Sequence, residues 1–290
     1  MGNNMQNITA FIDGSVYAAS VIDHAAWAAE RLKMPVSLVH VMGRRNEVSS
    51  QPADLSGSIK LGARTDLLEK LAKLDSERAI LGRERGRAIL DDAQSRISTN
   101  TPNLQVSTKL RNGDLVEAVQ DLVNETRFAI IGKRGEAADF ATMHLGSNLE
   151  RLVRTSARPV LVASRAFKPI RRFLLAYDGG ASSVRALNRL VEGSVLDGIE
   201  CHILSVGPAT SEAAQKLAMA AQSLRDAGYI VKDHLQQGEP DAAISKAVVS
   251  LDVDMLVLGK SGHSRIRQLF IGSTTLELMQ TCRVPVLVFP

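Results

Sequence analysis

The chain carries one order of apolar runs and turns twice over, and that duplication limits what its 290 residues can fold into. Asp13-Gly14 and Asp178-Gly179 each close an apolar run, and they lie 165 positions apart, as do Val41 and Val206. Further along the spacing shortens. Gly113 and Gly238 are 125 positions apart, while Gly146 and Gly272, and Pro159 and Pro285, are 126 apart. The first copy therefore holds about 40 extra residues between its second and third runs, around 43–95. The length suits two ordinary domains with full cores, and Ser164-Arg165-Ala166-Phe167-Lys168-Pro169 can link them. The expected units are 1–166 and 167–290.

Within each copy, short apolar runs alternate with stretches of helical periodicity. Asn7–Ile12, Val36–Met42, Val106–Leu110, Phe128–Ile131 and Pro159–Val162 read as strands of the first copy. Phe173–Ala176, Ile203–Val206, Tyr229–Gln236, Asp254–Leu258 and Val284–Val288 restate them. Parallel neighbours need crossover connections, so the alternation argues for an α/β fold: in each unit a five-stranded parallel sheet flanked by helices. The stretch from Gly43 through Pro52 and Gly57 reads as a loop. From Lys60 to Arg96 charges mix with leucines, a long helix expected to be interrupted near Gly82. That helix is expected to lay one stripe on its own sheet; a partner surface or a lid over the first site is the alternative. Val160-Leu161-Val162 and Val286-Leu287-Val288 would be apolar sheet edges, and such edges seek partners. The two units are expected to dock through them as a pseudo-dimer.

The sharpest chemical signal is Gly259-x2-Gly262-x9-Gly272-Ser273-Thr274, which follows an apolar strand and opens a helix. Glycines let backbone approach a bulky anion, and a helix N-terminus offers free N–H groups with partial positive charge. Thr274 and Glu277 are spaced as a capping box. Lys260, His263, Arg265 and Arg267 add positive charge nearby, or form a solvated face. The plain alternative is that these glycines only turn the chain and the hydroxyl only caps. A P-loop is excluded, because Asp254 stands where its first glycine belongs, and no G-x-G-x-x-G follows either first strand. The first copy reads Gly132-x2-Gly135-x10-Gly146-Ser147-Asn148, one residue longer, with Glu136 and Asp139 inside the loop. A carboxylate about 4 Å from a phosphate charge opposes it by about 1–4 kcal/mol, which favours the second copy as the binding one.

Composition narrows the rest. Lys and Arg number 35 against 31 Asp and Glu, with the signs mixed along the chain, so nucleic acid is not an expected partner. No apolar run is long enough to span a bilayer, and Met1–Gln6 lacks a signal-peptide core. With only Cys201 and Cys282 and no disulfide framework, a reducing cytoplasm is expected. His24, His40, His144, His202, His234 and His263 are scattered without metal-ligand spacing, and no Gly-x-Ser-x-Gly elbow occurs. Neither a catalytic residue nor a metal ligand is assigned.

These motifs together resemble the universal stress protein family in its tandem two-domain form. The family pattern G-x2-G-x9-G-[S/T] matches Gly259, Gly262, Gly272 and Ser273 letter for letter, and the strand-end Asp-Gly and proline-led closing strand recur in both copies. The resemblance covers all but the 43–95 insertion. It implies two Rossmann-like domains of the adenine nucleotide alpha-hydrolase kind, a role in stress response, and ATP as ligand, with Mg2+ as an accompanying cation left open. It also implies site residues: Asp178 at adenine, Val206 contributing backbone to the base, and Gly259, Gly262, His263, Gly272, Ser273 and Thr274 around ribose and phosphates. The corresponding positions of the first unit are Asp13, Val41, Gly132, Gly135, Gly146 and Ser147. A homodimer, a nucleotide-free scaffold role, and at most a weak ATPase activity stay open at this point.

Overall fold

The computed structural model describes residues 6–43, 61–135, 147–260 and 272–290. The first unit runs β1 (Asn7–Phe11), α1 (Ala18–Leu32), β2 (Val36–Met42), α2 (Leu61–Asn100), β3 (Val106–Asn112), α3 (Leu115–Asp121), β4 (Thr126–Gly132), α4 (Ser147–Thr155) and β5 (Val160–Ala163). The second runs β6 (Arg172–Ala176), α5 (Ala181–Val191), β7 (Glu200–Val206), α6 (Ser211–Asp226), β8 (Val231–Gln236), α7 (Pro240–Ser250), β9 (Met255–Gly259), α8 (Ser273–Thr281) and β10 (Val286–Phe289). Local chemistry sets several boundaries. Asp114 Oδ1 accepts from the Val116 and Glu117 amides to start α3, Thr210 Oγ1 accepts from the Ala213 amide to start α6, and Pro240 opens α7.

The ten strands form one sheet in the order β3-β2-β1-β4-β5-β10-β9-β6-β7-β8. Every pairing is parallel except the central one, where β5 and β10 run antiparallel. There Val162 faces Val286, Leu161 faces Leu287 and Val160 faces Val288. Leu161 and Leu287 are also counterparts in the repeat, so a pseudo-two-fold axis passes between them. The repeat holds in backbone detail as well: Gly113 and Gly238, which follow β3 and β8, share φ values of +124° and +125°.

Strand residues alternate between the two faces, and each face builds a core that continues across both units. Ile8, Leu38, Leu161, Phe173, Ile203 and Leu287 meet α1, α2, α5 and α6. Val39, Ala129, Val160, Leu174, Leu256 and Val288 meet α3, α4, α7 and α8.

Two readings of α2 are corrected. The helix passes through Gly82 without interruption, because a Cβ there would meet nothing within 4 Å and a glycine in an exposed helix costs only about 1 kcal/mol. Its leucines also do not form a single stripe on the sheet. Leu90, Ala93 and Ile97 are buried, and Arg96 grips Asp23 of α1 with bonds of 2.8 and 2.7 Å. Leu67, Leu68, Leu71, Leu74 and Leu81, by contrast, are exposed. The expected loop after Gly43 lies, from residue 44 to residue 60, outside the described residues.

One core residue has a measurable consequence. His24 of α1 is fully buried, packs edge-on against Phe167 at 4.9 Å and holds the Ser20 carbonyl at 2.7 Å through Nδ1. Burial lowers its pKa to about 4, against the opposing pull of the Ser20 carbonyl and Asp23. In the unfolded chain the ring protonates near 6.5, so between about pH 6.5 and 4 acidification favours unfolding, by up to about 3 kcal/mol. Denaturant midpoints measured across that window should fall less steeply for His24→Phe than for the parent chain. Equal slopes would contradict the assignment.

Candidate functional site

Each five-strand unit has the spatial order third, second, first, fourth, fifth, and its chain direction switches between the first and fourth strands. Ligand crevices of open α/β sheets lie outside the carboxyl ends of the strands at such a switch. In the second unit these are the ends of β6 and β9, which pair directly through Leu175 and Val257.

β6 leads into Tyr177-Asp178-Gly179-Gly180. Asp178 Oδ1 accepts from the Gly180 amide at 2.8 Å and from Ser183 Oγ at 2.6 Å, which orients the carboxylate at the mouth of the crevice. Gly179 takes a φ of +70°, and Lys216 of α6 leans toward it. Burial, then the nearby Asp178 carboxylate, push the Tyr177 hydroxyl to a higher pKa. Val206 closes β7 beside β6, half-buried, and the Tyr177 amide donates to Leu204 of the same strand.

Gly259 ends β9 against the first turn of α5. A Cβ there would stand 2.6–2.8 Å from the carbonyl carbon, carbonyl oxygen and Cβ of Ser182, so any larger residue would force the strand and the helix apart. The start of α8 is tied to the same turn: the Gly272 amide donates to the Lys260 carbonyl, and Thr275 Oγ1 donates to the Gly259 carbonyl at 3.2 Å. Gly272 is the N-cap of α8 and no side chain caps it. Thr274 and Glu277 therefore lie inside the helix, and the expected capping box does not form, since a box needs its hydroxyl at the N-cap. The amides of Ser273 and Thr274 open a helix whose first turn contains no acid. Asp178, Val206, Gly259, Gly272, Ser273 and Thr274 thus gather around one switch point. Gly262, His263, Arg265 and Arg267 lie outside the described residues.

The first unit repeats the frame with different contacts. Asp13 Oδ1 accepts from the Ser15 amide at 3.0 Å. A Cβ on Gly132 would stand 2.8 Å from Cβ of Tyr17, and one on Gly135 would stand 3.2 Å from Asp13 Oδ2, so the loop starts close against the carboxylate. Val41 is half-buried at the end of β2. The first turn of α4 carries Glu150, where α8 has no acid. Ser147 opens α4, while Gly146, Glu136 and Asp139 lie outside the described residues.

Sequence reasoning missed the bonds between the units. Lys133 follows Gly132 and donates from Nζ to the Cys282 carbonyl, at the end of α8, at 2.8 Å. Lys260 follows Gly259 and donates to the Ser156 carbonyl, just past α4, at 3.4 Å. Each glycine turn thus sends its first side chain to the end of the other unit's last helix, where carbonyls attract cations. Burial lowers the pKa of both lysines, with Arg185 adding to the effect at Lys260. Lysine after a strand-end glycine was visible in both copies, but its partner could be found only once the antiparallel seam was known. Among the described residues no group of His, Cys, Asp and Glu could hold a metal ion, and no helix is long and apolar enough to cross a membrane.

Two copies of one frame on one sheet, with duplicated strand-end carboxylates and glycines, define a tandem α/β fold. The model of the universal stress protein family matches residues 4–164 and again 169–290, and the chain belongs to that family. It is 35% identical to the universal stress protein Slr1230 of Synechocystis over 288 residues, covering 98% of this chain and 100% of that one. A crystal structure of a universal stress protein from Archaeoglobus fulgidus shares the fold with a TM-score of 0.63 at 20% identity, spanning 100% of this chain and 99% of the other. Protein PA1789 of Pseudomonas aeruginosa gives a TM-score of 0.62 at 16% identity, with 98% and 92% covered.

The two lysine struts differ in length, and stability should reflect it. Lys133→Met removes the shorter bond and should cost about 1–3 kcal/mol, whereas Lys260→Met should cost about 1 kcal/mol or less. Urea unfolding of both variants checks the ranking. Equal, negligible losses would show that the struts contribute nothing.

Proposed function

We propose that this tandem universal stress protein binds an ATP-type adenine nucleotide mainly in its second unit, 167–290, and acts in the cytoplasm as a nucleotide-dependent switch. The carrying observation is the start of α8, uncapped by any side chain and tied to the end of β9 at the switch point. Its amides are suited to phosphate oxygens, and no acid in the first turn competes for them. Asp178, already oriented by Gly180 and Ser183, can accept from an exocyclic adenine amine, and the backbone at Val206, where β7 ends beside β6, would contribute to the base. Gly259 and Gly272, with Gly262 and His263 of the intervening loop, would surround ribose and phosphates, and Mg2+ would balance the phosphate charge.

Asp13, Val41, Gly132, Gly135, Gly146 and Ser147 form the weaker counterpart. Glu150 sits in the first turn of α4, where phosphate would otherwise meet the positive end of the helix, and the Asp13 carboxylate lies close to Gly135. In this reading the closing strands hold the two units as an intrachain pair. Lys260 supplies the switching route, because it joins the second glycine turn to the end of α4.

Gly272→Val tests the reading. Gly272 has φ of −62° and ψ of 144°, which valine adopts without strain, so the variant should fold normally. Its branched side chain would crowd the phosphate position. Calorimetric titration with Mg-ATP should show affinity at least about tenfold weaker than in the parent chain, while the cooperative thermal transition is kept and falls by only about 2–4 °C, because valine is a poorer N-cap than glycine. Undiminished affinity would overturn the assignment.

A further inference from the structure

The two apolar faces of α2 point in different directions. At 3.6 residues per turn, Gly86, Ile89, Leu90, Ala93 and Ile97 cluster on the face toward the sheet, whereas Leu67, Leu71, Leu74 and Leu81 share a stripe turned from it by about 100°. The sheet covers only the first face. The stripe leucines are exposed by 39%, 41%, 48% and 63%, in a stretch, 67–81, whose side chains are exposed throughout. From Leu67 to Leu81 the stripe runs about 21 Å.

We propose that this stripe is a self-association surface, on which a second copy of the chain lays its own α2 antiparallel about a two-fold axis through Leu74. The pattern is self-complementary in that arrangement. Leu74 meets the partner's Leu74, and Leu67 and Leu81 meet the partner's Leu81 and Leu67. Lys70 and Glu77 lie on one flank of the stripe, so each reaches its opposite charge across the axis, twice over. Arg78 lies on the stripe about one turn from the axis and pairs with Asp75 of its own helix at 3.9 Å, so it enters the seam beside its own counter-charge. A parallel pairing would instead set Arg78 directly against the partner's Arg78 on the seam. It would also bring both sheets to the same end of the helix pair, whereas the antiparallel pairing places them at opposite ends.

Sedimentation equilibrium of the full chain tests the surface. At about 100 µM the mass should approach twice 31.3 kDa, and Leu74→Glu, an exposed position, should weaken association at least about tenfold while leaving the fold intact. Cysteine linking tests the direction, since natural Cys201 and Cys282 are buried and a disulfide needs Cα atoms within about 7 Å. Leu74→Cys should link to itself, and Leu67→Cys should link to Leu81→Cys in a mixture but not to itself. A monomer at that concentration, an undiminished dimer in Leu74→Glu, or self-linking of Leu67→Cys would each overturn the proposal.

Discussion

The pairing of β5 with β10 is the contact on which the rest of this architecture depends. Alone, each unit would expose a four-residue apolar strand, Val160–Ala163 or Val286–Phe289, with an unpaired row of amides and carbonyls. Set against each other about Leu161 and Leu287, the two strands become the buried centre of a ten-stranded sheet, whose edges among the described residues are β3 and β8. Both of those are more polar and partly exposed, so they advertise less apolar surface to other chains. The seam also explains why each apolar core runs without a break from one unit to the other.

The same seam decides how the two cradles relate. Because β5 and β10 run in opposite directions, the turn after β4 comes to the end of α8 and the turn after β9 comes to the end of α4. Lys133 and Lys260 bridge those gaps. The units are alike in frame and unlike in charge: Asp178 is held by two donors beside an acid-free helix start, while Asp13 sits close to its own loop and α4 begins with Glu150 nearby. A repeated scaffold whose two helix starts differ in acidic content is a natural route to an asymmetric pair.

Much of the fold was legible because it rests on short-range pattern. Buried parallel strands read as apolar runs, and the helices 18–32 and 147–155 carry their boundaries in their periodicity. The constant spacings revealed the repeat, and the matching φ of Gly113 and Gly238 shows how literal it is. What stayed hidden depends on contacts between distant segments. Glycine usually weakens a helix, yet Gly82 passes unnoticed where nothing packs. Thr274 and Glu277 have the spacing of a capping box, but the hydrogen bond from Gly272 to the Lys260 carbonyl sets the helix start two residues earlier. Ser182 and Ser183 gave no signal as neighbours of Gly259 and Asp178, because only the packing of α5 on the end of β9 brings them there. A leucine-rich helix likewise reads the same whether its stripe meets its own sheet or faces water.

Native-state amide hydrogen exchange at the seam tests the account most directly. If β5 and β10 form the centre of one cooperative sheet, the amides of Leu161 and Leu287 should exchange as slowly as those of β1 and β6, through global unfolding alone. Exchange at the faster rates of the edge strands β3 and β8 would mean that the two units part readily, and would contradict the continuous sheet on which the reading of both cradles is built.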